Sequence, residues 1–212
     1  MAPTAQYLMP NRTAEISLAR SAAPPAISGN ATVLVLSSDG YQTAVEGKNG
    51  FTCLVERAWM SPFDSPDFWN PKLKGPVCYN PAATRSILPI TRYRTKLAQS
   101  GVSQLKMFDE IRAAMARKEL PAPEPGAMSF MMSKEGYLGD AAGGPWHSHL
   151  MFYVAGTDTA GWGANLPGSP VVVDDEHRKI PEQQVIFLVP VSHWSDGSLA
   201  PAAGHAAEGG GK

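Results

Sequence analysis

The fold is decided by residues 31–57, which read ATVLVLSSDGYQTAVEGKNGFTCLVER. Runs rich in β-branched and aromatic residues are separated here by the turn sequences SDG at 38–40 and GKNG at 47–50. Asp-Gly and Asn-Gly pairs between such runs are strong signals for tight hairpin turns. Strands joined by turns this short pair in antiparallel fashion, so the stretch predicts a meander of antiparallel strands.

Outward from this meander, groups of helices and groups of strands follow one another along the chain. A short helix is predicted at residues 13–20, before the meander, and helices after it begin at Pro81, Thr91 and Gln104, the last capped by Ser103. The later strands are predicted at residues 127–133, 148–154, 170–174 and 183–191. Runs of strands separated by helices are typical of the α+β class.

The predicted architecture is a single α+β domain over residues 1–198. Its antiparallel sheet has about six to seven strands, with the helices packed on one face. Residues 199–212 are rich in Ala and Gly and are predicted to be a disordered tail. Residues 1–12 are predicted to be a mobile arm.

Two segments carry predictions about packing. The helix capped by Ser103 is predicted to bury a stripe of residues spaced three and four positions apart, namely Leu105, Phe108, Ile111 and Met115. The proline-rich segment 59–79 is predicted to be an ordered loop. Its prolines limit the entropy of the unfolded chain, and its aromatic side chains offer apolar surface to bury.

Composition and charge argue against two classes of function. Charged residues make up 17 % of the chain and the net charge is −1, whereas a nucleic-acid-binding protein needs a clustered basic field. No apolar run reaches about 18 residues, so no transmembrane helix is predicted. Residues 1–30 lack the apolar core of a signal peptide, and the opening MAPTA is interpreted as an initiator methionine ahead of a trimmed mature chain.

The two cysteines, Cys53 and Cys78, flank the proline-rich segment. This placement favours a disulfide that pins the segment, which would stabilise the fold by about 3–4 kcal/mol on the chain-entropy model. A disulfide, together with the loop-rich composition, predicts a periplasmic or secreted protein. The alternative is a cytosolic protein in which both cysteines are buried free thiols.

Several segments of the chain are distinctive in sequence. They are AEISLARSAAP at 14–24, GFTCLVERAW at 50–59, MSPFDSPDFWNPKLKGPVCY at 60–79, MSKEGYLGDAAGGPWHSHLMF at 132–152, WGANLPGSPV at 162–171 and WSDGS at 194–198. These segments resemble an uncharacterised family of bacterial hypothetical proteins. The resemblance implies a bacterial source and favours export. It supplies no activity, cofactor or catalytic residue.

The tryptophans are the most informative candidates for a binding site. Trp59, Trp69, Trp146, Trp162 and Trp194 all fall in predicted loops or at strand ends. Aromatic side chains with a few polar groups are the usual lining of a small-molecule pocket. The alternative is that each indole anchors its own loop on the domain.

The leading interpretation is an exported bacterial domain that binds a small apolar or aromatic ligand in a cleft lined by Trp and Met. Its edge would be formed by Trp69, Trp146, Trp162 and Trp194, with polar contacts from Asp140, His149 and His193. The expected location is the point where the 136–149 loop meets the strand end at His193, because functional groups commonly gather on loops at one edge of a sheet. No cofactor is predicted for this role.

The main alternative is a hydrolase. His147 and His149 are spaced to share one face of a strand, and with His193 they could hold a metal ion, although the Glu of the cupin metal motif does not follow them. A serine or carboxylate mechanism lacks a GxSxG elbow, and the loop carboxylates Asp64, Asp67, Asp140 and Asp196 also suit Asx-turns. A structural or partner-binding protein is the third possibility. The sequence leaves the oligomeric state open.

Overall fold

The computed structural model describes residues 1–137, 139, 147–156, 160–173, 181–182 and 184–201, which form an α+β fold. The strands within this part of the chain are β1 Thr32–Ser37, β2 Gly40–Val45, β3 Thr52–Glu56, β4 Gly75–Tyr79, β5 Met128–Met131, β6 His149–Ala155, β7 Val172–Val173 and β8 Gln184–Pro190. Its α-helices are α1 Arg12–Arg20, α2 Pro25–Ser28, α3 Pro81–Ser86, α4 Leu88–Gln99 and α5 Gln104–Ala116.

The strands form one mixed sheet in the order β2-β1-β3-β4-β5-β6-β8-β7. The α+β class and the mostly antiparallel sheet are confirmed, but the described residues give eight strands rather than six to seven. The strand that the sequence did not reveal is β4, which lies inside the segment predicted as a loop. Its sequence, GPVCY, begins with Gly and Pro, which are depleted in strands, and its five pairings with β3 stabilise it instead.

The predicted meander is wrong at one pairing, since β1 and β3 are parallel. The chain leaves β2 at Val45, which is paired with Val33, and enters β3 at Thr52, which is paired with Thr32. Residues 46–51 therefore pass around the N-terminal end of β1, so that β3 lies on the side of β1 opposite to β2. A Cβ atom on Gly47 would lie 2.1 Å from the Thr32 nitrogen, so this crossing needs a residue without a side chain.

Helices cover both faces of the sheet, so the prediction of helices on one face is wrong. Successive strand residues point to opposite faces. Cys53 packs in a cluster with Leu18 and Ala19 of α1, whereas Leu54 packs in the cluster that contains Ile90 of α4 and Met107 of α5. All five residues of β3 are buried, and a strand that is apolar on both faces requires a layer on each side.

The N-terminal segment is packed into the domain, which corrects the prediction of a mobile arm. Tyr7, at the end of a 3-10 turn, is 1 % exposed, and its ring centroid lies 5.0 Å from that of Trp59. Its carbonyl oxygen accepts a hydrogen bond of 2.7 Å from Nε of the buried Arg57. One buried aromatic side chain therefore ties residues 1–8 to the core.

The buried stripe of α5 also differs from the predicted one. Its buried residues are Met107, Ile111 and Ala114, whereas Leu105 is 77 % exposed. Apolar residues occur on more than one side of this helix, so spacing alone did not identify the side that faces the core. The helix thus faces the core with a different side from the predicted one, and Leu105 lies on the protein surface.

Two buried ion pairs connect distant segments. Arg57 and Glu15 are 2.7 Å apart, as are Arg94 and Glu182. Glu15 also accepts a 3.1 Å hydrogen bond from the Leu36 backbone nitrogen. Removing one partner from a buried pair leaves the other charge without compensation and typically costs about 3–5 kcal/mol, so these pairs fix how the helices and loops dock.

The disulfide between Cys53 and Cys78 is confirmed; it joins directly opposed residues of β3 and β4. Both cysteines are completely buried beneath α1. Such a bridge is compatible with an extracytoplasmic location. No helix among the described residues is long and apolar enough to cross a membrane. The predicted tail falls largely on residues 202–212, which lie outside the described residues.

Candidate functional site

An open cleft lies between the segment that follows β3 and the first turn of α5. Its volume is about 860 Å³. The residues that line it are Phe63, Asp64, Trp69, Ser103, Gln104, Leu105 and Phe108. We call it the aromatic cleft, because three of these seven side chains are aromatic.

The rings around the aromatic cleft meet edge to face. The Phe63 and Phe108 centroids are 5.3 Å apart with an angle of 87° between the planes. Trp69 meets the buried Phe68 at the same angle and at 4.8 Å. Edge-to-face contacts are the favoured geometry of aromatic pairs, worth about 0.5–1.5 kcal/mol beyond area burial. They build walls that stand at right angles to one another.

Buried groups hold these walls from behind. The Tyr7 hydroxyl donates a 2.8 Å hydrogen bond to the Trp69 carbonyl oxygen. The Arg94 guanidinium lies 4.6 Å from the centre of the Phe63 ring and donates to the Trp59 and Ser61 carbonyl oxygens. These contacts fix the backbone on both sides of Phe63 before any ligand arrives.

The N-terminal end of α5 closes the other side of the aromatic cleft. The Gln104 side chain donates a short hydrogen bond to the Phe63 carbonyl oxygen, which links the helix to the loop. Ser103 caps the helix by accepting a hydrogen bond of 3.4 Å from the Lys106 backbone nitrogen. Leu105, on the same turn, extends the apolar wall into solvent.

A half-buried lysine lies where the loop of the aromatic cleft rejoins the sheet. Lys74 donates a 2.7 Å hydrogen bond from Nζ to the Pro71 carbonyl oxygen. Partial burial, and after it the positive charge of Arg57, lowers the pKa of Lys74 to about 8. The same loop approaches Gly139, since a Cβ atom on Gly139 would lie 2.2 Å from Oδ2 of Asp67.

Among the described residues of the predicted ligand-binding set, Trp69 is the one that lines the aromatic cleft. Trp162 stacks on Phe187 of β8, with ring centroids 4.3 Å apart and planes within 12°. Trp194 is buried at the end of the sheet, where its backbone nitrogen donates a hydrogen bond to the Ser198 carbonyl oxygen. Asp140 and Trp146 lie outside the described residues. The nine methionines all lie within the described residues, and none of them lines the cleft.

The two predicted histidine segments do lie side by side. The Ser148 hydroxyl donates a 2.6 Å hydrogen bond to the His193 carbonyl oxygen, and His149 pairs with Pro190. The His149 ring contacts the His147 carbonyl oxygen at 2.7 Å, and the His193 ring contacts the Ser192 hydroxyl at 2.9 Å. Each of these ring contacts is therefore local to its own segment.

The described part of the chain contains no group of three or more His, Cys, Asp or Glu side chains placed to hold a metal ion. His147, His149 and His193 are all described, so their geometry gives the metal-hydrolase alternative no support.

Sequence reasoning missed most of the lining of the aromatic cleft. The sequence pattern predicts that Phe63 packs on the domain and that Asp64 forms an Asx-turn. It places Leu105 and Phe108 in the buried stripe of the helix. One signal was present: α5 has more apolar positions than a single buried stripe can hold. The excess indicated a second apolar surface on this helix, but not which loop it would face.

None of the protein-family models, curated proteins or solved structures compared with this chain matches it. The resemblance to uncharacterised bacterial proteins therefore stays a prediction.

Proposed function

We propose that this protein binds a small apolar or aromatic ligand in the aromatic cleft. The observation that carries the proposal is the corner formed by Phe63 and Phe108, whose rings stand at 87° in an opening of about 860 Å³. Pockets for small molecules are typically concave and mostly apolar, with a few polar groups that fix orientation. Asp64, Ser103 and Gln104 are the polar groups here.

Preorganisation supports this role over simple loop packing. The loop side of the cleft is anchored through Tyr7 and Arg94, and its helix side through the cap of Ser103 and the Gln104 amide. A site whose walls are already ordered does not lose their conformational freedom when the ligand binds, so affinity is not spent on ordering them.

The proposal includes export to the periplasm or the medium. Its support is the Cys53–Cys78 disulfide, because such bonds persist mainly in oxidising compartments. An exported domain with an open apolar cleft would meet its ligand outside the cytoplasm.

A neutral fluorescent probe tests the binding role. N-phenyl-1-naphthylamine brightens in apolar surroundings, and we expect it to bind the wild-type protein saturably. Leu105→Asp places a charge in the cleft and should weaken that binding by at least about tenfold, the equivalent of ~1.4 kcal/mol. Leu199→Asp is the matched control, because Leu199 is 76 % exposed, like Leu105 at 77 %, and does not line the cleft.

Folding of both variants is checked by circular dichroism and urea unfolding, and neither should change much, because both leucines are exposed. Equal probe binding by the two variants, or none by the wild-type protein, would contradict the proposal.

A further inference from the structure

A lysine outside the aromatic cleft is held in surroundings that suit covalent chemistry. Lys74 lies directly before β4, in the segment between the cleft and the sheet, and its side chain is half-buried. Its backbone is fixed by two hydrogen bonds with Tyr137, one donated at 2.8 Å and one accepted at 2.9 Å. The side chain therefore starts from a defined point of the fold.

The hydrogen bonds of the Lys74 amine suit its neutral form. Nζ donates to the Pro71 carbonyl oxygen at 2.7 Å and to the Leu73 carbonyl oxygen at 3.3 Å. An ammonium group has three N–H donors, whereas a neutral amine has two and can keep both of these bonds. Loss of the third proton therefore costs neither bond, and it leaves a lone pair on the side of the nitrogen away from the two oxygens.

Burial and charge around the amine act in the same direction. Partial burial removes water from the ammonium group, and the positive charge of the buried Arg57 repels it. The carboxylate of Glu15 attracts the ammonium group, but it is paired with Arg57 at 2.7 Å and has the smallest effect of the three. Lysines that are out of water or beside another cation are those that attack carbonyl carbons in enzymes.

We infer that Lys74 is a site of covalent modification by aldehydes, which its neutral amine attacks to form an imine. The nitrogen lone pair forms a bond to the carbonyl carbon while the π electrons move to the oxygen, and a proton passes from the nitrogen to that oxygen. Loss of the second nitrogen proton together with the hydroxyl group, as water, gives the C=N bond. Lys74 does not line the aromatic cleft, so this inference is independent of the proposed ligand.

Propanal with sodium cyanoborohydride tests the inference, because the reductant converts each imine into a stable secondary amine. The folded protein is labelled at pH 7.5 with limiting propanal, and each lysine is quantified by tandem mass spectrometry of chymotryptic peptides. Lys72 is the matched comparison, because it lies two positions away in the same segment and is exposed. The amine of Met1 also reacts near neutral pH and is quantified separately.

We expect Lys74 to be labelled at least about tenfold faster than Lys72. At pH 7.5 roughly a quarter of an amine with a pKa of about 8 is neutral, against about one part in a thousand at the ordinary value of 10.5. Part of this advantage is lost, because nucleophilicity falls with basicity, as it does for thiols. The advantage should shrink as the pH is raised towards 10.5, and unfolding in guanidinium chloride should bring the two lysines to equal rates.

The variant Lys74→Arg keeps the positive charge and removes the amine. It should abolish the fast-labelled lysine and leave the labelling of Lys72 unchanged.

Three results would overturn the inference. The first is labelling of Lys72 in the folded protein that is as fast as that of Lys74 or faster. The second is a preference for Lys74 that persists in guanidinium chloride, since it would come from the local sequence and not from the fold. The third is fast labelling of Lys72 in Lys74→Arg, which would show that the reaction is not specific to Lys74.

Discussion

The hydroxyl of Tyr7 donates a 2.8 Å hydrogen bond to the carbonyl oxygen of Trp69, which joins the N-terminal segment to the wall of the aromatic cleft across 62 positions of sequence. Tyr7 is 1 % exposed, and the hydrogen bond that it donates is partly buried. The position of the Trp69 side chain thus depends on a residue that does not line the cleft.

Replacement of this hydroxyl should loosen the cleft without unfolding the protein. Tyr7→Phe keeps the ring contact with Trp59 and removes two partly buried hydrogen bonds, the one donated to the Trp69 carbonyl oxygen and the 3.3 Å one accepted from the Ala2 nitrogen. This loss should reduce the free energy of unfolding by about 1–2 kcal/mol. We expect weaker binding of 3-tert-butylphenol as well, measured by tryptophan emission. Tyr93→Phe is the control, because Tyr93 packs on the same core and does not line the cleft. Unchanged probe affinity in Tyr7→Phe would show that Trp69 is held by other contacts.

The disulfide should resist reduction while the protein is folded. Both cysteines are completely buried under α1, so dithiothreitol should reduce the bond only when the protein unfolds, and the rate should rise with urea. Replacing both cysteines with alanine should lower the free energy of unfolding by about 3–4 kcal/mol, because the unfolded chain gains conformational entropy. The smaller side chains also leave cavities in the core, which should lower it further. Two thiols that react with Ellman's reagent in freshly unfolded, never-reduced protein would disprove the bond.

Gly47 should tolerate no side chain. A Cβ atom there would lie 2.1 Å from the Thr32 nitrogen and 2.3 Å from the Ala31 carbonyl carbon. These are backbone atoms and cannot rotate away, so Gly47→Ala must displace the crossing between β2 and β3. We expect a loss of more than about 2 kcal/mol in urea unfolding. Gly101→Ala is a control without a steric clash, because a Cβ atom there would have no neighbour within 4 Å, although its φ of +71° adds strain of its own. A smaller loss for Gly47→Ala than for Gly101→Ala would contradict the steric argument.

Lys74 should make stability depend on pH in the alkaline range. Its pKa is lowered from 10.5 to about 8 in the folded protein, so between these values the unfolded chain binds more protons than the folded one. Stability contributed by this group therefore rises as pH increases from about 8 to 10.5. Lys74→Met should remove that rise, which is measured as the difference between the two proteins in urea midpoint at pH 7.5 and pH 9.5.

The buried tyrosines act in the opposite direction, but only at higher pH. Burial raises the pKa of Tyr41 and Tyr153 above their ordinary value of 10.0, so their contribution to stability falls as pH rises above about 10. If the difference in urea midpoint between the wild-type protein and Lys74→Met stays constant from pH 7.5 to 9.5, the lowered pKa of Lys74 is contradicted.

The sequence predicted those parts of the fold that depend on local pattern. The hairpin of β1 and β2 follows from alternation around Asp39-Gly40, and α5 begins at its predicted cap, Ser103. The disulfide was predicted from the placement of its cysteines. The strand β4 was not, because its residues favour a strand only once they pair with β3.

The candidate site was harder to predict because it depends on contacts between distant segments. Nothing local distinguishes Tyr7 from an aromatic residue in a mobile arm, and its burial requires Arg57, Trp59 and Trp69 to surround it. Leu105 and Met107 both suit a helix interior, and only the packing of α5 decides that Leu105 faces solvent. Trp69, which lines the cleft, was among the predicted candidates because a tryptophan in a predicted loop is a recognisable signal by itself.

The indole N–H resonances of the tryptophans are the most direct test of ligand binding in the aromatic cleft, because they report which indole lies beside the ligand. The chain has five tryptophans, and the Trp69 signal is assigned from its absence in Trp69→Phe. On titration with 3-tert-butylphenol, we expect a saturable shift of the Trp69 signal, while those of Trp162 and Trp194, which do not line the aromatic cleft, stay in place. A saturable shift of Trp162 or Trp194 without one at Trp69 would contradict it and place the site at the other end of the sheet.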